Sequence, residues 1–292
     1  MEHIKGDQSS AFKGVEITLT CEDCGQSYDG KAQALLEGFV GSKGRRRCSE
    51  CREKLIKFQL VQDHERHLRF LTYHRQEWLN SCGIPPKYMD KTFENYDPLG
   101  LKAGKPHYDN SARVKACREY ASAFPVDSHP KGAKTLLIVS QTNGTGKTHL
   151  ASAVLREIIG RCEDFAFEKP PYRFYTAGHI RNMLQDAKRF SSGTTVSDLY
   201  RQLSTLRLLV LDDVGKEKLS GYEADEVYTI YYTLINERYN LGLPMVITSN
   251  LSMEPWEKGG ISLVDIVGLA GKDRLMEMSG GTEILIEGES RR

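Results

Sequence analysis

The residues best suited to chemistry in this chain are a short run of glycines, threonines and a lysine, N-G-T-G-K-T, at positions 143–148. Gly144 and Gly146 would let backbone N–H groups converge on phosphate oxygens, because no side chain stands in the way. Lys147 can reach the β- and γ-phosphates of a nucleoside triphosphate, and Thr148 can place its hydroxyl on magnesium. The run therefore predicts a phosphate-binding loop. The predicted nucleotide-binding residues are Asn143, Gly144, Thr145, Gly146, Lys147, Thr148 and His149.

The segments on either side of this run support that interpretation. Leu136–Val139 is apolar, as expected for a buried strand, and the helix after the loop carries Leu150, Val154 and Ile158 on one face. A helix that starts at a phosphate loop adds the positive end of its dipole to the site. The full signature has glycine where this chain has Gln141, so we expect a distorted loop that keeps its binding groups. The alternative is a glycine-rich strand-to-helix turn with a surface lysine.

Two adjacent carboxylates follow a later apolar stretch, Leu206–Leu211. Ligands bind at the carboxyl ends of the strands in open α/β sheets, so Asp212 and Asp213 are the best-placed carboxylates for a magnesium–nucleotide site. Asp212 can hold magnesium directly or through water. Asp213 can orient or deprotonate the attacking water. The alternative is an ordinary acidic turn after a strand.

Two further polar side chains are candidates with weaker local signals. Asn250 ends the predicted strand Leu243–Asn250. It could position the water or sense the γ-phosphate, or it could merely start a turn. Arg274 lies in a predicted helical segment, where the simplest interpretation is a solvated helix charge. The residues alone leave both roles open.

Four of the seven cysteines form two C-x-x-C pairs, Cys21 with Cys24 and Cys48 with Cys51. Two such pairs can bring four thiolates into the tetrahedron that a structural zinc ion prefers, although the gap between them is slightly longer than the common ribbon spacing. A module this small rarely obtains more than about 3–5 kcal/mol from its core, whereas structural zinc supplies roughly 10–16 kcal/mol in finger peptides. We therefore predict a closed, structural zinc site. The alternative is four reduced thiols without metal.

The region between the zinc module and the phosphate loop suggests where the domains divide. Lys43–Arg47 is a basic run that could contact phosphates, or could be a solvated loop that offsets the charge of the thiolates. A long polar helix, Glu53–Trp78, leads to Cys82–Pro86, whose glycine and prolines break it. We predict a zinc-binding domain with its helix over residues 1–82 and an α/β ATPase domain over residues 83–292.

The composition favours a cytoplasmic protein that works without a membrane. Charged residues make up 27% and hydrophobic residues 39% of the 292 residues, which is typical of soluble globular proteins. No apolar run approaches membrane-spanning length, and the first residues do not resemble a secretory signal. The net charge of +1 neither favours nor excludes a nucleic-acid partner, because local patches matter more than the sum.

Several longer motifs, spread over roughly Ile84–Arg292, resemble one known family. They are I-P-P-K-Y-M-D-K-T-F-E-N-Y, G-T-G-K-T-H-L-A, L-V-L-D-D-V-G, L-I-N-E-R-Y and V-I-T-S-N-L-S. In this order they resemble the replicative helicase loaders of the DnaC type, within the AAA+ ATPases. The resemblance implies a doubly wound parallel sheet, ATP with magnesium, and action as a homo-oligomer. It also implies that Asn250 is the sensor residue, that Arg274 is the arginine finger acting on a neighbour's ATP, and that Arg291, in preference to Arg292, is the C-terminal sensor.

The function implied by this resemblance is ATP-controlled loading of a replicative DNA helicase. An N-terminal zinc module is similar to that of some loaders, in which this end grips the helicase. We therefore expect helicase binding near Met1–Trp78 and single-stranded DNA binding by the ATPase domain. Asp213 stands where many AAA+ relatives have glutamate, and its shorter carboxylate predicts slow hydrolysis that a partner stimulates.

Three alternatives remain open at this point. The transposition helper ATPases of the IstB type share nearly every ATPase motif, including an ending like G-E-S-R-R, and are the close alternative. A small-molecule phosphotransferase could use the same loop, but it should have a lid, and we see no lid-like arginine cluster. A nucleic-acid-binding adaptor with a vestigial ATPase would bind ATP without forming an oligomer or hydrolysing it.

Overall fold

The computed structural model of this protein describes residues 18–29, 46–102, 105–126, 128–167, 169–189, 193–216, 222–258 and 260–290. The chain forms two compact units, Met1–Phe70 and Leu71–Arg292. The long helix α1, Ser49–Ser81, has residues in both units. The functional division after residue 82 stays a prediction. Each described helix is too short or too polar to cross a bilayer.

The described part of the first unit, residues 18–29 and 46–70, contains a small hairpin and most of α1. Strand β1, Thr18–Thr20, pairs antiparallel with β2, Ser27–Asp29. Helix α1 confirms the predicted long polar helix and carries Glu50 in its first turn, where an acidic side chain favours the helix dipole. Ion pairs one turn apart add modest support along its exposed face, for example between Lys54 and Glu50.

The second unit contains a five-stranded parallel sheet. Its strands are β5 Leu136–Val139, β6 Tyr172–Thr176, β7 Leu208–Val214, β8 Met245–Ser249 and β9 Glu283–Leu285. They lie in the order β6-β7-β8-β5-β9, so the phosphate-loop strand β5 lies between β8 and β9, inside the sheet. Successive side chains point to opposite faces of a sheet, so strands covered on both faces must be apolar throughout. All four residues of β5 are buried, as this arrangement requires.

Helices cover both faces of this sheet. Ile138 and Val210 belong to one hydrophobic cluster, together with α2 (Ser111–Ala123) and α3 (Lys147–Gly160). Their neighbours Leu137 and Leu209 belong to a second cluster with the helices of the other face. The predicted doubly wound α/β fold is confirmed. The helices of the second cluster are α4 Ala177–Lys188, α5 Val196–Ser204, α6 Tyr222–Leu241 and α7 Val264–Ser279.

Two local features differ from the sequence expectations. Strands β3, Leu99–Lys102, and β4, Lys105–Asp109, form an antiparallel pair where the sequence predicts a polar loop. Helix α7 is kinked at Gly268, whose backbone is non-helical with φ 75° and ψ 167°. A side chain at this position would strike Tyr228, since an added Cβ would lie 2.4 Å from its ring. Glycine permits both the positive φ and the close approach.

Candidate nucleotide and zinc sites

The phosphate loop connects β5 to α3 with two glycines in left-handed conformations. Gly144 has φ 79° and Gly146 has φ 102°. Helix α3 begins at Lys147 directly after Gly146, so its free N–H groups and the positive end of its dipole face the loop. An added Cβ at Gly146 would lie 2.6 Å from the ring of Tyr96. Two left-handed glycines directly before a helix N-terminus are compatible with anion binding, in spite of Gln141 in the signature.

Lys147 and Asn250 form a hydrogen bond across the loop. The lysine is only 5% exposed, and its Nζ donates to Asn250 Oδ1 at 2.5 Å and to the Thr142 carbonyl at 3.3 Å. Asn250 Nδ2 in turn donates to Asn143 Oδ1 at 2.6 Å. One amide thus joins the end of β8 to both sides of the loop. Lys147 also lines the pocket beside the loop, so a bound anion there would compete with Asn250 for the protons of the ammonium group.

Asp212 is a buried carboxylate held by two hydroxyl groups. Thr148 Oγ1 donates to its Oδ2 at 3.1 Å, and Thr248 Oγ1 donates to its Oδ1 at 2.6 Å. Burial raises the pKa of Asp212 to about 6, and the nearby Asp213 charge adds to this effect, while the two hydroxyl donors oppose it. A carboxylate next to a threonine hydroxyl is a donor set that suits magnesium, and the cation would favour the ionised form.

Asp213 lies on a bulge within β7. The sequence predicts a strand that ends in the two aspartates, and β7 continues one residue further, to Val214. The pairing with β8 is irregular between Leu211 and Val214, and Asp213 is left-handed with φ 63°. Such bulges re-aim side chains next to functional sites. The Asp213 N–H donates to Thr248 Oγ1 at 2.9 Å, and its carboxylate accepts from Lys216 Nζ at 2.6 Å.

One pocket brings most of the predicted nucleotide residues together. Thr145 forms part of the same loop, and its buried hydroxyl has no hydrogen-bond partner among the described residues. An orphaned hydroxyl in a cationic glycine loop fits a site that an anionic ligand completes. The residues that line the pocket are Lys87, Tyr88, Tyr96, Asn143, Gly144, Gly146, Lys147, Thr148, His149, Asp213 and Lys216.

The segment upstream of the ATPase core supplies residues that sequence reasoning missed. Tyr96 donates its hydroxyl to the Thr145 carbonyl at 3.0 Å and meets His149 edge-on, with ring centroids 5.0 Å apart. His149 Nε2 lies 2.8 Å from the Thr92 carbonyl. The side chain of His149 therefore anchors this segment to α3. The available signal was the tyrosine that ends the K-Y-M-D-K-T-F-E-N-Y motif, which the sequence reasoning uses only for the family resemblance.

Arg274, the predicted arginine finger, is not among the described residues that line this pocket. Arg274 lies on α7, with its guanidinium 5.3 Å from the ring centre of Tyr232 and 5.8 Å from that of Tyr239. Its Nη1 donates to the Ala270 carbonyl at 3.5 Å. Arg291 lies outside the described residues. The roles of both arginines stay predictions.

The four N-terminal cysteines converge in the first unit. The sulfurs of Cys21, Cys24, Cys48 and Cys51 all lie within 4.8 Å of one another. The Cys24 and Cys48 sulfurs are 3.8 Å apart. Four ligands at the usual Zn–S distance of 2.3 Å would be separated by about 3.8 Å in a tetrahedron. The cluster therefore fits the predicted zinc ion.

The electrostatics of the thiols also favour a cation. Hydrogen bonding with Cys48 and then with Cys24 raises the pKa of Cys51 to about 12. Backbone hydrogen bonding at Cys48 is the main cause that lowers the pKa of Cys21 to about 6. When one cysteine of the cluster is ionised, the close sulfurs make ionisation of a second cysteine less favourable. A divalent cation would lower this cost by binding the thiolates.

Comparison with known proteins identifies relatives of the second unit. A family model described as IstB-like ATP binding protein matches residues 109–292. The replicative helicase loader DnaC of Escherichia coli (strain K12) is 29% identical over 183 residues, which cover 63% of this chain and 64% of the relative. An ATP-binding protein in an insertion sequence of Mycobacterium tuberculosis is 28% identical over 149 residues, 51% of this chain and 52% of the relative.

Two solved structures are also similar to this chain. The crystal structure of the DnaC helicase loader is 25% identical, with a TM-score of 0.49, and the match covers 70% of this chain and all of that one. The crystal structure of DnaI is 17% identical, with a TM-score of 0.48, and the match covers 70% of this chain and 94% of that one. The curated relatives above are matched over only 52–64% of their own length.

The resemblance inferred from the motifs is confirmed by the family model and by the sequence matches to DnaC and to the insertion-sequence protein. The family model spans more than half of the chain, including the phosphate loop, both aspartates of β7 and Asn250. This protein therefore belongs to the family of IstB-like ATP binding proteins.

Proposed function

We propose that this protein is an ATP-hydrolysing switch that loads a replicative DNA helicase. The observation that carries the proposal is the hydrogen-bonded set around the phosphate loop, in which Lys147 bonds Asn250 and Thr148 bonds Asp212. These residues come from three separate segments of the chain and meet at the carboxyl end of one parallel sheet. Ligands bind at this edge in open α/β folds.

Each residue of this set has a proposed task. Lys147 binds the β- and γ-phosphates, while Thr148 and Asp212 hold magnesium, which supplies charge neutralisation when bound. Asp213 orients or deprotonates the attacking water. Asn250 exchanges its bond with Lys147 for a contact with the γ-phosphate or the water.

Hydrolysis is proposed to be slow until a second copy of the chain completes the site. Arg274 is the candidate for this intermolecular role, because the family resemblance makes it the arginine finger; in its own chain its guanidinium rests on two tyrosine rings, Tyr232 and Tyr239. Asp213 is shorter than the glutamate of many AAA+ enzymes and reaches less far toward the water. Both features suit a switch that works as a homo-oligomer in the cytoplasm.

The proposed partners are a replicative helicase and single-stranded DNA. The helicase would bind near Met1–Trp78, and the ATPase domain, residues 83–292, would bind DNA. The DnaC loaders among the relatives support the helicase. The second candidate is an IstB-like transposition helper, favoured by the family match and by the insertion-sequence relative.

Substitution of the proposed arginine finger tests the ATPase part of this function. Arg274→Ala should reduce partner-stimulated hydrolysis by about 10³–10⁵-fold, the usual worth of an arginine finger, and leave ATP affinity unchanged. Arg201→Ala is the control, since Arg201 is an exposed arginine paired with Asp198 on α5. Equal loss of hydrolysis and ATP binding in Arg274→Ala would contradict the assignment.

Co-purification separates the two candidate functions. The full chain and a chain lacking residues 1–78 are each mixed with a replicative helicase and with an IS21-type transposase. A loader should retain the helicase only when residues 1–78 are present. Stimulation of hydrolysis by the transposase and not by the helicase would favour the transposition helper.

A further inference from the structure

A second lysine faces the nucleotide pocket beside Asp213. Lys216 follows β7, and its Nζ donates to Asp213 Oδ2 at 2.6 Å. Both side chains line the same pocket as Lys147. The intervening Gly215 has φ 85°, and an added Cβ there would lie 2.7 Å from Leu251. The chain thus turns sharply at a glycine and brings the ammonium group back to the carboxylate three residues earlier.

The position of Lys216 in the pocket defines which end of a nucleotide it would meet. Tyr88 and Tyr96 border the pocket from the segment that precedes the core. The end of β7 borders it from the side where Asp212 bonds Thr148, the proposed magnesium ligands. The phosphates nearest to this metal pair are the β- and γ-phosphates. Lys216 therefore lies on the side of the pocket where the terminal phosphates of a nucleotide would bind.

The bond between Lys216 and Asp213 is weak enough to be exchanged. Their side chains are 38% and 31% exposed, and ion pairs with this exposure contribute about 0–1 kcal/mol. Lysine carries three donors on a flexible stem, so its ammonium can move between neighbouring anions at little cost. A terminal phosphate carries more negative charge than one carboxylate and offers three acceptor oxygens.

We propose that Lys216 is a γ-phosphate-binding residue, whose ammonium leaves Asp213 for the terminal phosphate of a nucleoside triphosphate. A diphosphate lacks this group, so Lys216 stays on Asp213. The exchange makes the Asp213 carboxylate available to water only when a triphosphate is bound. The protein thereby gains a way to distinguish ATP from ADP within one chain. This inference rests on the proposed ATP site.

Nucleotide affinities of the full chain test the exchange. Isothermal titration with ADP and with a non-hydrolysable ATP analogue, both with magnesium, is compared for the unsubstituted chain, Lys216→Ala and Lys216→Arg. Lys216→Ala should lose about ten-fold or more in affinity for the ATP analogue, the usual effect of removing a charge-assisted hydrogen bond. Its ADP affinity should change by about two-fold or less, and Lys216→Arg should retain most of the ATP-analogue affinity.

Lys115→Ala is the matched control for the loss of one surface positive charge. Lys115 is 76% exposed and pairs with Glu119 one helical turn away on α2. Its affinities for both nucleotides should equal those of the unsubstituted chain. ADP binding by Lys216→Ala also reports that this variant is folded.

Two results would overturn the inference. Equal losses for ADP and the ATP analogue would mean that Lys216 only supports the turn after β7. Unchanged affinity for both would mean that its ammonium stays on Asp213. A different result, no binding of either nucleotide by the unsubstituted chain, would overturn the proposed ATP site itself.

Discussion

The zinc cluster and the nucleotide site are both places for cations, but the chain prepares them in opposite ways. Cys21 and Cys24 form one knuckle, and Cys48 and Cys51 form the other, so each pair of ligands is local in sequence. In the nucleotide site, Thr148 at the start of α3 bonds Asp212 of β7, and the two residues are far apart in the sequence. Its oxygen ligands come from distant segments and hydrogen-bond to one another within a large folded unit, whereas the four sulfurs contact one another in a small hairpin module. We therefore expect zinc to hold the first module together, and magnesium to enter a site that the protein already holds in place.

The physical cause lies in the size of the surrounding core. The hairpin of β1 and β2 has three residues in each strand, which offers little apolar surface to bury. The sheet of the second unit is covered on both faces by helices, and Asp212 is only 2% exposed within it. A large core can impose a conformation on polar residues at its edge, including the strained backbone of Asp213.

Metal removal should have the largest effect, and it should be confined to the first unit. Cys48→Ser should abolish stoichiometric zinc and unfold the knuckles, because the apparent binding energy of structural zinc is about 10–16 kcal/mol. The zinc content of the purified chain measures the loss of metal, and limited proteolysis near residues 18–52 measures the unfolding of the knuckles. Nucleotide binding by the second unit should persist.

Cys117→Ala is the control for this prediction, because Cys117 is a buried cysteine of α2 outside the cluster. It should keep one zinc ion per chain. If the first unit of metal-free Cys48→Ser still resisted protease and unfolded cooperatively, the first unit would not depend on metal for folding. The proposed difference between the two sites would then be wrong.

The pH dependence of stability should reveal the cost of ionising the buried Asp212 carboxyl group. Burial raises the pKa of Asp212 to about 6, so the folded state holds this proton more tightly than the unfolded chain does. The contribution of Asp212 to stability without nucleotide and magnesium should therefore be lost as the pH rises from about 4 to about 6, and it is of the order of 3 kcal/mol.

Asp212→Asn should lack this part of the pH dependence, because its amide does not titrate. Urea unfolding of the second unit at several pH values measures the difference between the two proteins. Parallel curves for both would show that Asp212 titrates normally and that the site stores no electrostatic strain.

Removal of one hydroxyl at the phosphate loop should have the smallest effect. Tyr96→Phe loses the bond to the Thr145 carbonyl and should lower the free energy of unfolding by about 1 kcal/mol. Tyr120→Phe is the matched control, since the buried Tyr120 hydroxyl has no hydrogen-bond partner among the described residues. Urea unfolding should find the control as stable as the unsubstituted chain or more so. Equal effects of both substitutions would mean that Tyr96 does not brace the loop.

Much of the fold could be predicted because its signals are local. The apolar run of β5, the glycine loop and the amphipathic α3 follow one another within a single stretch, and each follows from side-chain pattern and backbone freedom. The two C-x-x-C pairs likewise carry their ligand geometry in their own spacing. For the same reason the hairpin of β3 and β4, which has no strong alternation of polar and apolar residues, was missed.

The tertiary structure alone decided which distant residues meet. Thr248 bonds both aspartates because β8 lies next to β7, and Tyr96 reaches the loop because the segment before the core packs against α3. The bulge at Asp213 depends on the register between two strands that are far apart in the chain. The sequence by itself determined the phosphate loop and the zinc ligands, since these depend on neighbours along the chain. The partners of Lys147, Asp212 and Asp213 depend on strand order and register, which long-range packing sets.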